Sequence, residues 1–282
     1  MATPSLRDEL RVAPGSTVDL SERDPRATPL APGGKRRTRE ALGEQGVHLA
    51  SLQEALWAEG AGGGRRRVLL VMQGMDTSGK GGAVEHVIGC VNPQGVRIAS
   101  FGKPTPVELR HHFLWRVRRQ LPPAGTIGIF DRSHYEDVLV ARVHQLAPGD
   151  VIEERYAEIN RFERLQTAEG VTVVKCFLNL SYDEQRERLL ARLDDPTKQW
   201  KFNEGDLAER DRWGDYQQAY RIALERCSTP DAPWYVVPAD RKWYRNWAVA
   251  GLLLETLREL DPRYPQPDLD VVGLRRRLQP PS

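Results

Sequence analysis

The stretch Val68-Leu69-Leu70-Val71-Met72-Gln73-Gly74-Met75-Asp76-Thr77-Ser78-Gly79-Lys80-Gly81 decides how this chain folds. Its opening is an apolar run of strand length, and Gly74 to Lys80 spells Gly-x-x-x-x-Gly-Lys, the Walker A pattern that turns a strand into a helix around a phosphate. In such a loop the backbone N–H groups and the positive end of the following helix face the anion. Gly74 and Gly79 supply backbone freedom, and Lys80 brings a point charge to bridging phosphoryl oxygens. A plain strand-to-helix turn is the alternative. Gly81 departs from the usual form, because a Ser or Thr there would offer a hydroxyl to magnesium. Asp76, inside the loop, is the candidate to hold the metal instead; capping the turn or the following helix is its other reading.

A second apolar run, Ile127-Gly128-Ile129-Phe130, ends in Asp131-Arg132-Ser133-His134-Tyr135-Glu136-Asp137. A strand ending in an acid has the Walker B arrangement. Asp131 would lie beside the phosphate loop if the two strands are neighbours, and Arg132 would neutralise charge on a transferred phosphoryl group. A surface Asp-Arg pair is the bland alternative. Phosphoryl transfer asks for positioning and positive charge, so Lys103 after the second predicted strand, Arg192 at a helix end and Lys201 become further candidates. Each could equally be a solvated charge. Arg116, Arg118 and Arg119 fit the solvated face of an amphipathic helix. His111 and His112 read as structural, and His134 as a hydrogen-bonding group within its loop. Trp200, Trp213 and Tyr216 could stack on a base or pack between helices.

Short apolar runs alternating with longer amphipathic ones predict a parallel α/β sheet. The strands are Val68 to Met72, Val96 to Ser100, Thr126 to Phe130, Val171 to Leu178 and Trp234 to Val237. Helices are expected to begin near Lys80, Pro106, Asp150, Tyr182, Trp213 and Trp243, with an earlier one from Thr38 to about Glu59 that ends at a glycine-rich linker. Residues 1–37 read as an irregular arm, poorly ordered or wrapped around the periphery, in which Lys35-Arg36-Arg37 is a solvated run. The kinase-like domain spans 38–261, with a polar, mobile lid at about 194–215. The tail, 262–282, carries Pro262, Pro265, Pro267, Pro280 and Pro281 and reads as irregular surface or an oligomer contact.

The 282 residues, 40% hydrophobic and 28% charged, suit a globular enzyme and exclude wholesale disorder. Forty-one basic and 39 acidic residues leave a net charge of +2, too balanced to imply nucleic-acid binding. No apolar run approaches the ~20 residues needed to span a membrane, and Met1 to Leu20 lacks a secretory apolar core. Cys90, Cys176 and Cys227 have neither disulfide-framework nor zinc-site spacing, which points to a reducing cytoplasm.

From about Thr38 to Leu260 the chain resembles the polyphosphate kinase 2 family. The most specific pieces are Gln73 to Gly82, Phe130 to Leu139, and Trp200-Lys201-Phe202 followed by Glu209-Arg210 and Trp213. The resemblance implies an α/β P-loop kinase fold of thymidylate-kinase type: a three-layer sandwich with a parallel sheet and a helical lid. It implies Mg²⁺-dependent transfer, with Mn²⁺ as an alternative ion, between inorganic polyphosphate and ADP, AMP or ATP, and guanine nucleotides as further candidates. The family's loop acid and lysine carry over to Asp76 and Lys80, its second acid and arginine to Asp131 and Arg132, and its lid arginine to Arg192. Asp76 and Asp131 become the metal candidates. Gly74, Gly79, Lys80, Gly81, Lys103, Arg132, Glu136, Arg192 and Lys201 become the nucleotide and polyphosphate set. Ser133-His134-Tyr135-Glu136-Asp137 looks like the branch that accepts both AMP and ADP, whereas an ADP-preferring branch tends to carry Trp-Tyr-Asn-Arg. A homodimer or homotetramer is implied too. The rival readings are an ATP-dependent nucleotide or nucleoside kinase, and a non-catalytic nucleotide or polyphosphate sensor.

Overall fold

The computed structural model describes residues 4–279, so Pro280 and Pro281 of the predicted tail lie outside the described residues. Five parallel strands form one sheet: β1 (Arg67–Gln73), β2 (Val96–Ser100), β3 (Ile127–Asp131), β4 (Val171–Asn179) and β5 (Trp234–Pro238), in the order β2-β3-β1-β4-β5. The helices, in chain order, are α1 (Leu6–Leu10), α2 (Lys35–Ala61), α3 (Lys80–Ile88), α4 (Leu114–Arg118), α5 (Val140–Val143), α6 (Gly149–Ala168), α7 (Tyr182–Asp194), α8 (Gly205–Asp211), α9 (Trp213–Cys227), α10 (Lys242–Leu260) and α11 (Val271–Arg277).

The apolar strands are long enough to feed both faces of the sheet. Leu69 and Val71 of β1 pack with Val173 and Phe177 of β4 against Ile159, Phe162 and Leu224 of α6 and α9. Val68, Leu70 and Met72, the alternate residues, pack with Leu178 against Leu49 and Leu56 of α2, Ala83 of α3 and Leu252 of α10. Each fully buried Leu contributes about 1.5–3 kcal/mol, so both helical layers are held by apolar contact. The result is the α/β P-loop kinase-like sandwich expected from the sequence. Because β1 lies between β3 and β4, while the chain visits β2 before β3, the crevice at the C-terminal end of β1 is the switch point where ligands collect in such sheets.

The arm is tied down. Leu6, Leu10, Val12 and Val18 are buried, and Val12 N donates to Trp234 O at 2.8 Å beside an antiparallel bridge between Arg11 and Tyr235. This covers the otherwise open edge of β5. Within the tail, the segment expected to be irregular contains α11, started by Asp270, whose side chain accepts from Gly273 N.

The helix expected from Pro106 is broken. Thr105 and Glu108 form a reciprocal cap, but the turn Glu108–Arg110 ends at His111, which is extended, and α4 restarts the chain. Arg116 is correspondingly not solvated: it is buried and donates to Gly102 O at 2.9 Å and to Asp137 at 3.4 Å. His111 and His112 are exposed.

Candidate active site

At the end of β1 the chain turns through Gly74 at φ 151°, Thr77 at φ 64° and Gly79 at φ 96°, then enters α3 at Lys80. A Cβ on Gly74 would sit 2.9 Å from Leu178 O, so the tight exit from the strand requires glycine. Lys80 folds back into the loop and donates to Gly74 O at 2.7 Å and Met75 O at 3.4 Å. Burial pushes its pKa down, opposed chiefly by the nearby Asp76 carboxylate. The charges of Asp131, Glu136 and Arg132 also reach it, so these residues converge on one ammonium group.

The strand register explains that convergence. Asp131 pairs with Met72, next to the start of the loop, and Arg132 N donates to Met72 O at 3.1 Å. Arg132, at a left-handed φ of 63°, turns its guanidinium to Asp76, 2.9 Å away, and to Glu136 at 3.8 Å. Burial works to lower the Arg132 pKa, but the Glu136 and Asp76 carboxylates outweigh it and leave it raised. Glu136 is shifted the other way: burial raises its pKa against the pull of Arg132 and Lys80.

Three side chains that the sequence did not single out brace the loop from below. Arg188 spends its five-donor fork on Glu184, on Thr77 O (2.8 Å) and Ser78 O (3.1 Å), and on Ala239 O and Asp240 O. Arg245 donates to Ser78 O at 3.1 Å and to Asn246, and Gln185 donates to Asp76 O at 3.1 Å. Burial, with Arg188 adding to it, pushes the Arg245 pKa down to about 9. With the carbonyls of Asp76, Thr77 and Ser78 held from behind, the loop backbone is fixed in place for an anion.

One flank of the loop opens into a cavity of about 800 Å³ that Thr77, Gly79 and Gly82 help to line. Seven cationic side chains line it as well: Arg39, Arg188, Arg192, Lys198, Lys201, Lys242 and Arg245. None of Asp131, Arg132 and Glu136 does. The loop therefore has a basic flank and a flank of acids with one arginine.

Lys198 and Lys201 of the 194–215 segment border the basic flank. Arg192 donates to Lys201 O at 3.2 Å and to Asp206 at 3.3 Å, and Lys201 Nζ lies 5.0 Å from the ring centre of exposed Trp200. At the lid's base Arg210 donates to Tyr182 O at 2.7 Å, while Glu209 pairs with His144 at 2.9 Å and accepts from Tyr216. Asp206 is a further acid the sequence reading missed; burial and Asp76 raise its pKa, so it faces the same charges as the loop. Trp213 packs edge-on against Tyr182. Lys103 is left apart, exposed after edge strand β2 and outside the basic cavity. Gly81 is exposed, with open space where a Cβ would be.

Among the described residues no group of three or more His, Cys, Asp or Glu could hold a metal. The two carboxylates beside Lys80, Asp76 and Asp131, would suit a hard ion such as Mg²⁺, which takes one or two carboxylates and completes its shell with phosphate oxygens and water. The hydroxyls of Thr77 and Ser78 are buried in the loop without a hydrogen-bond partner among the described residues. Oxygen atoms left unpaired at a phosphate loop fit an incoming phosphate–metal group.

His134 lies in a different environment. It is fully buried and meets Glu163 at 3.2 Å; Lys175, also fully buried, reaches Glu163 at 2.6 Å, Tyr135 Oη at 2.8 Å and Cys227 O at 2.7 Å. Burial works to raise the Glu163 pKa, but Lys175 and His134 hold the carboxylate below its usual range. Removing one partner of such a pair leaves a buried uncompensated charge at a cost of about 3–5 kcal/mol. Lys175→Met is expected to lower stability by that amount in chemical denaturation, and Lys175→Met/Glu163→Gln to recover part of it; an unchanged midpoint for the single variant would show that the pair is not holding this corner.

The family model of polyphosphate kinase 2 matches residues 34–265. An AMP/ADP-polyphosphate phosphotransferase from Meiothermus ruber is 50% identical over 258 residues, 92% of this chain and 95% of that protein. An ADP-polyphosphate phosphotransferase from Rhodopseudomonas palustris is 41% identical, with 92% of each chain covered. The crystal structure of polyphosphate kinase 2 from Arthrobacter aurescens TC1 superposes with a TM-score of 0.95 at 50% identity, covering 98% of this chain and 96% of that one. This chain belongs to the polyphosphate kinase 2 family.

Proposed function

We propose that this protein is a polyphosphate:nucleotide phosphotransferase, moving the terminal phosphoryl group of polyphosphate to ADP or AMP and back. The observation that carries the reading is the two-sided loop: seven cations on one flank and Asp131, Arg132 and Glu136 on the other. An ATP-dependent kinase needs cations for a triphosphate alone. A cavity of about 800 Å³ lined by this many cations suits a longer phosphate chain.

In this reading the polyphosphate end enters the basic cleft and meets the loop's N–H groups, and Lys80 exchanges its carbonyl partners for phosphoryl oxygens. The nucleotide's terminal phosphate oxygen attacks the end phosphorus in line; the P–O–P bridge breaks and leaves a chain one phosphate shorter. Arg132 offsets charge on the transferred group, and Glu136 holds Arg132 in place. Asp76 and Asp131 would hold Mg²⁺, which supplies charge neutralisation between the two phosphates. Arg192 and Lys201 would close over the donor and exclude water, since an exposed phosphoryl group is open to hydrolysis. Acceptance of AMP as well as ADP is supported by the likeness of Ser133 to Asp137 to the branch that uses both and by the name of the 50% identical relative.

The test is direct. Purified protein with Mg²⁺, long-chain polyphosphate and ADP or AMP is expected to yield ATP or ADP, and chelation is expected to stop it. Phosphorylation of a small acceptor by ATP, with no phosphate leaving polyphosphate, would overturn the reading.

A further inference from the structure

A second cavity, of about 370 Å³, adjoins the first and shares Arg39, Lys242 and Trp243 with it. Its remaining cations are Arg26 of the arm, Lys35 at the start of α2, and Arg241. Both of its acids are already committed: Glu184 pairs with Arg188 at 2.9 Å, and Asp240 accepts from Ser181 N at 2.9 Å and Ser181 Oγ at 2.8 Å. Arg241 Nε donates to Arg26 O at 3.0 Å, which pins the arm at the cavity's edge.

Helix α2 joins the two cavities. Lys35, Arg39, Leu42 and Gly43 follow i, i+4, i+7, i+8 spacing, so one face of the helix lines them both. The pairing of Arg36 with Glu40 is made off that face. The first turn of α2 holds Lys35, Arg36 and Arg37, with no acid and no side-chain cap. Cations at a helix N-terminus oppose the helix dipole at about 0.3–1 kcal/mol each, so folding alone gives Lys35 no reason to be there.

We propose that the second cavity is a distal subsite for the non-reacting part of the polyphosphate chain, and that Arg26 and Lys35 make the enzyme favour long donors over short ones. The inference rests on the polyphosphate reading above. A short donor fills the cleft beside the loop and stops; a longer one continues past Lys242 and Arg39 into the space between the arm and α2. The arm then has two jobs, covering the edge of β5 and extending the binding track.

The experiment compares tripolyphosphate with long-chain polyphosphate as donor, using Arg26→Ala/Lys35→Ala and, separately, Lys35→Glu. Both side chains are exposed, and an acid in the first turn of α2 suits the helix dipole, so Lys35→Glu is expected to melt no lower than the parent. Expected is a rise of about tenfold in KM for the long chain, corresponding to ~1.4 kcal/mol of lost binding, with kcat and all tripolyphosphate constants unchanged. The salt dependence of the long-chain KM should also become shallower, because fewer phosphate contacts are made. A ratio of long-chain to tripolyphosphate KM equal to the parent's would overturn the proposal, whether both constants stayed put or rose together. A parent protein that took phosphate from ATP and from neither polyphosphate would instead remove the polyphosphate reading itself.

Discussion

Asp131→Asn is expected to lower kcat by at least ~10³-fold while leaving polyphosphate affinity within a fewfold of the parent, an effect of the size seen when a charge-stabilising group is lost from a phosphoryl-transfer site. The substitution keeps shape and removes charge. Asp131 closes β3 in register with Met72, and its carboxylate is among those facing Lys80, so Asn preserves the strand while weakening both the metal position and the field around the ammonium. The basic cleft does not include Asp131, which is why donor binding should survive. Single-turnover rates and direct polyphosphate binding on the same preparation separate the two quantities. Activity within about tenfold of the parent would remove Asp131 from the mechanism, and a parallel loss of binding would show that it acts on the donor instead.

What was legible in the sequence was whatever is local along the chain. β1 and β3 are apolar runs that end in chemistry, and each run's own composition predicts it. The convergence of Asp76, Lys80, Asp131 and Arg132 followed once two such strands were taken as neighbours. What escaped was placed by packing between distant segments. Arg188 and Arg245 brace the loop from α7 and α10, and their spacing in sequence says nothing about Thr77 or Ser78. Arg39 reaches the cleft from α2, a helix far from the loop in sequence, and nothing local to it points to a phosphate. Lys103 stands apart from these: it follows a strand, as a ligand would, but β2 is at the sheet's edge and the basic cavity does not include it.

One miss did have a signal. In Val171 to Asn179 strict alternation puts Lys175 on the same face as Val173 and Phe177, in a strand with no solvated side. A lysine there must be paired or neutral, and Glu163 was the acid to look for. For Arg116 there was no such signal: Pro104 and Pro106 precede or open the expected helix, where proline is tolerated, and nothing between Val107 and Arg119 marks the break at His111.

Gly79→Ala is the substitution expected to damage both fold and function, and Gly81→Ala, two residues on, the control expected to do neither. At Gly79 the backbone sits at φ 96°, which strains any residue bearing a Cβ, and that Cβ would fall 1.6 Å from Arg245 Nη1 and 2.5 Å from its Cζ. The guanidinium cannot simply swing away. It is buried and anchored by Ser78 O and Asn246, so displacing it frees a loop carbonyl and leaves a buried cation without partners. Backbone strain of ~1–2 kcal/mol and an unsatisfied charged group of ~2–3 kcal/mol together predict a loss of roughly 3–5 kcal/mol. The loop's N–H groups would shift with it, so activity should fall at least ~100-fold in whatever fraction remains folded. At Gly81 a Cβ meets open space inside α3, and replacing a helical glycine with alanine gains about 0.5–1 kcal/mol. Denaturation midpoints and kcat for the pair decide the matter. Equal stability and activity in both variants would mean that Arg245 does not brace the loop, and the two-sided site would then lose its support from below.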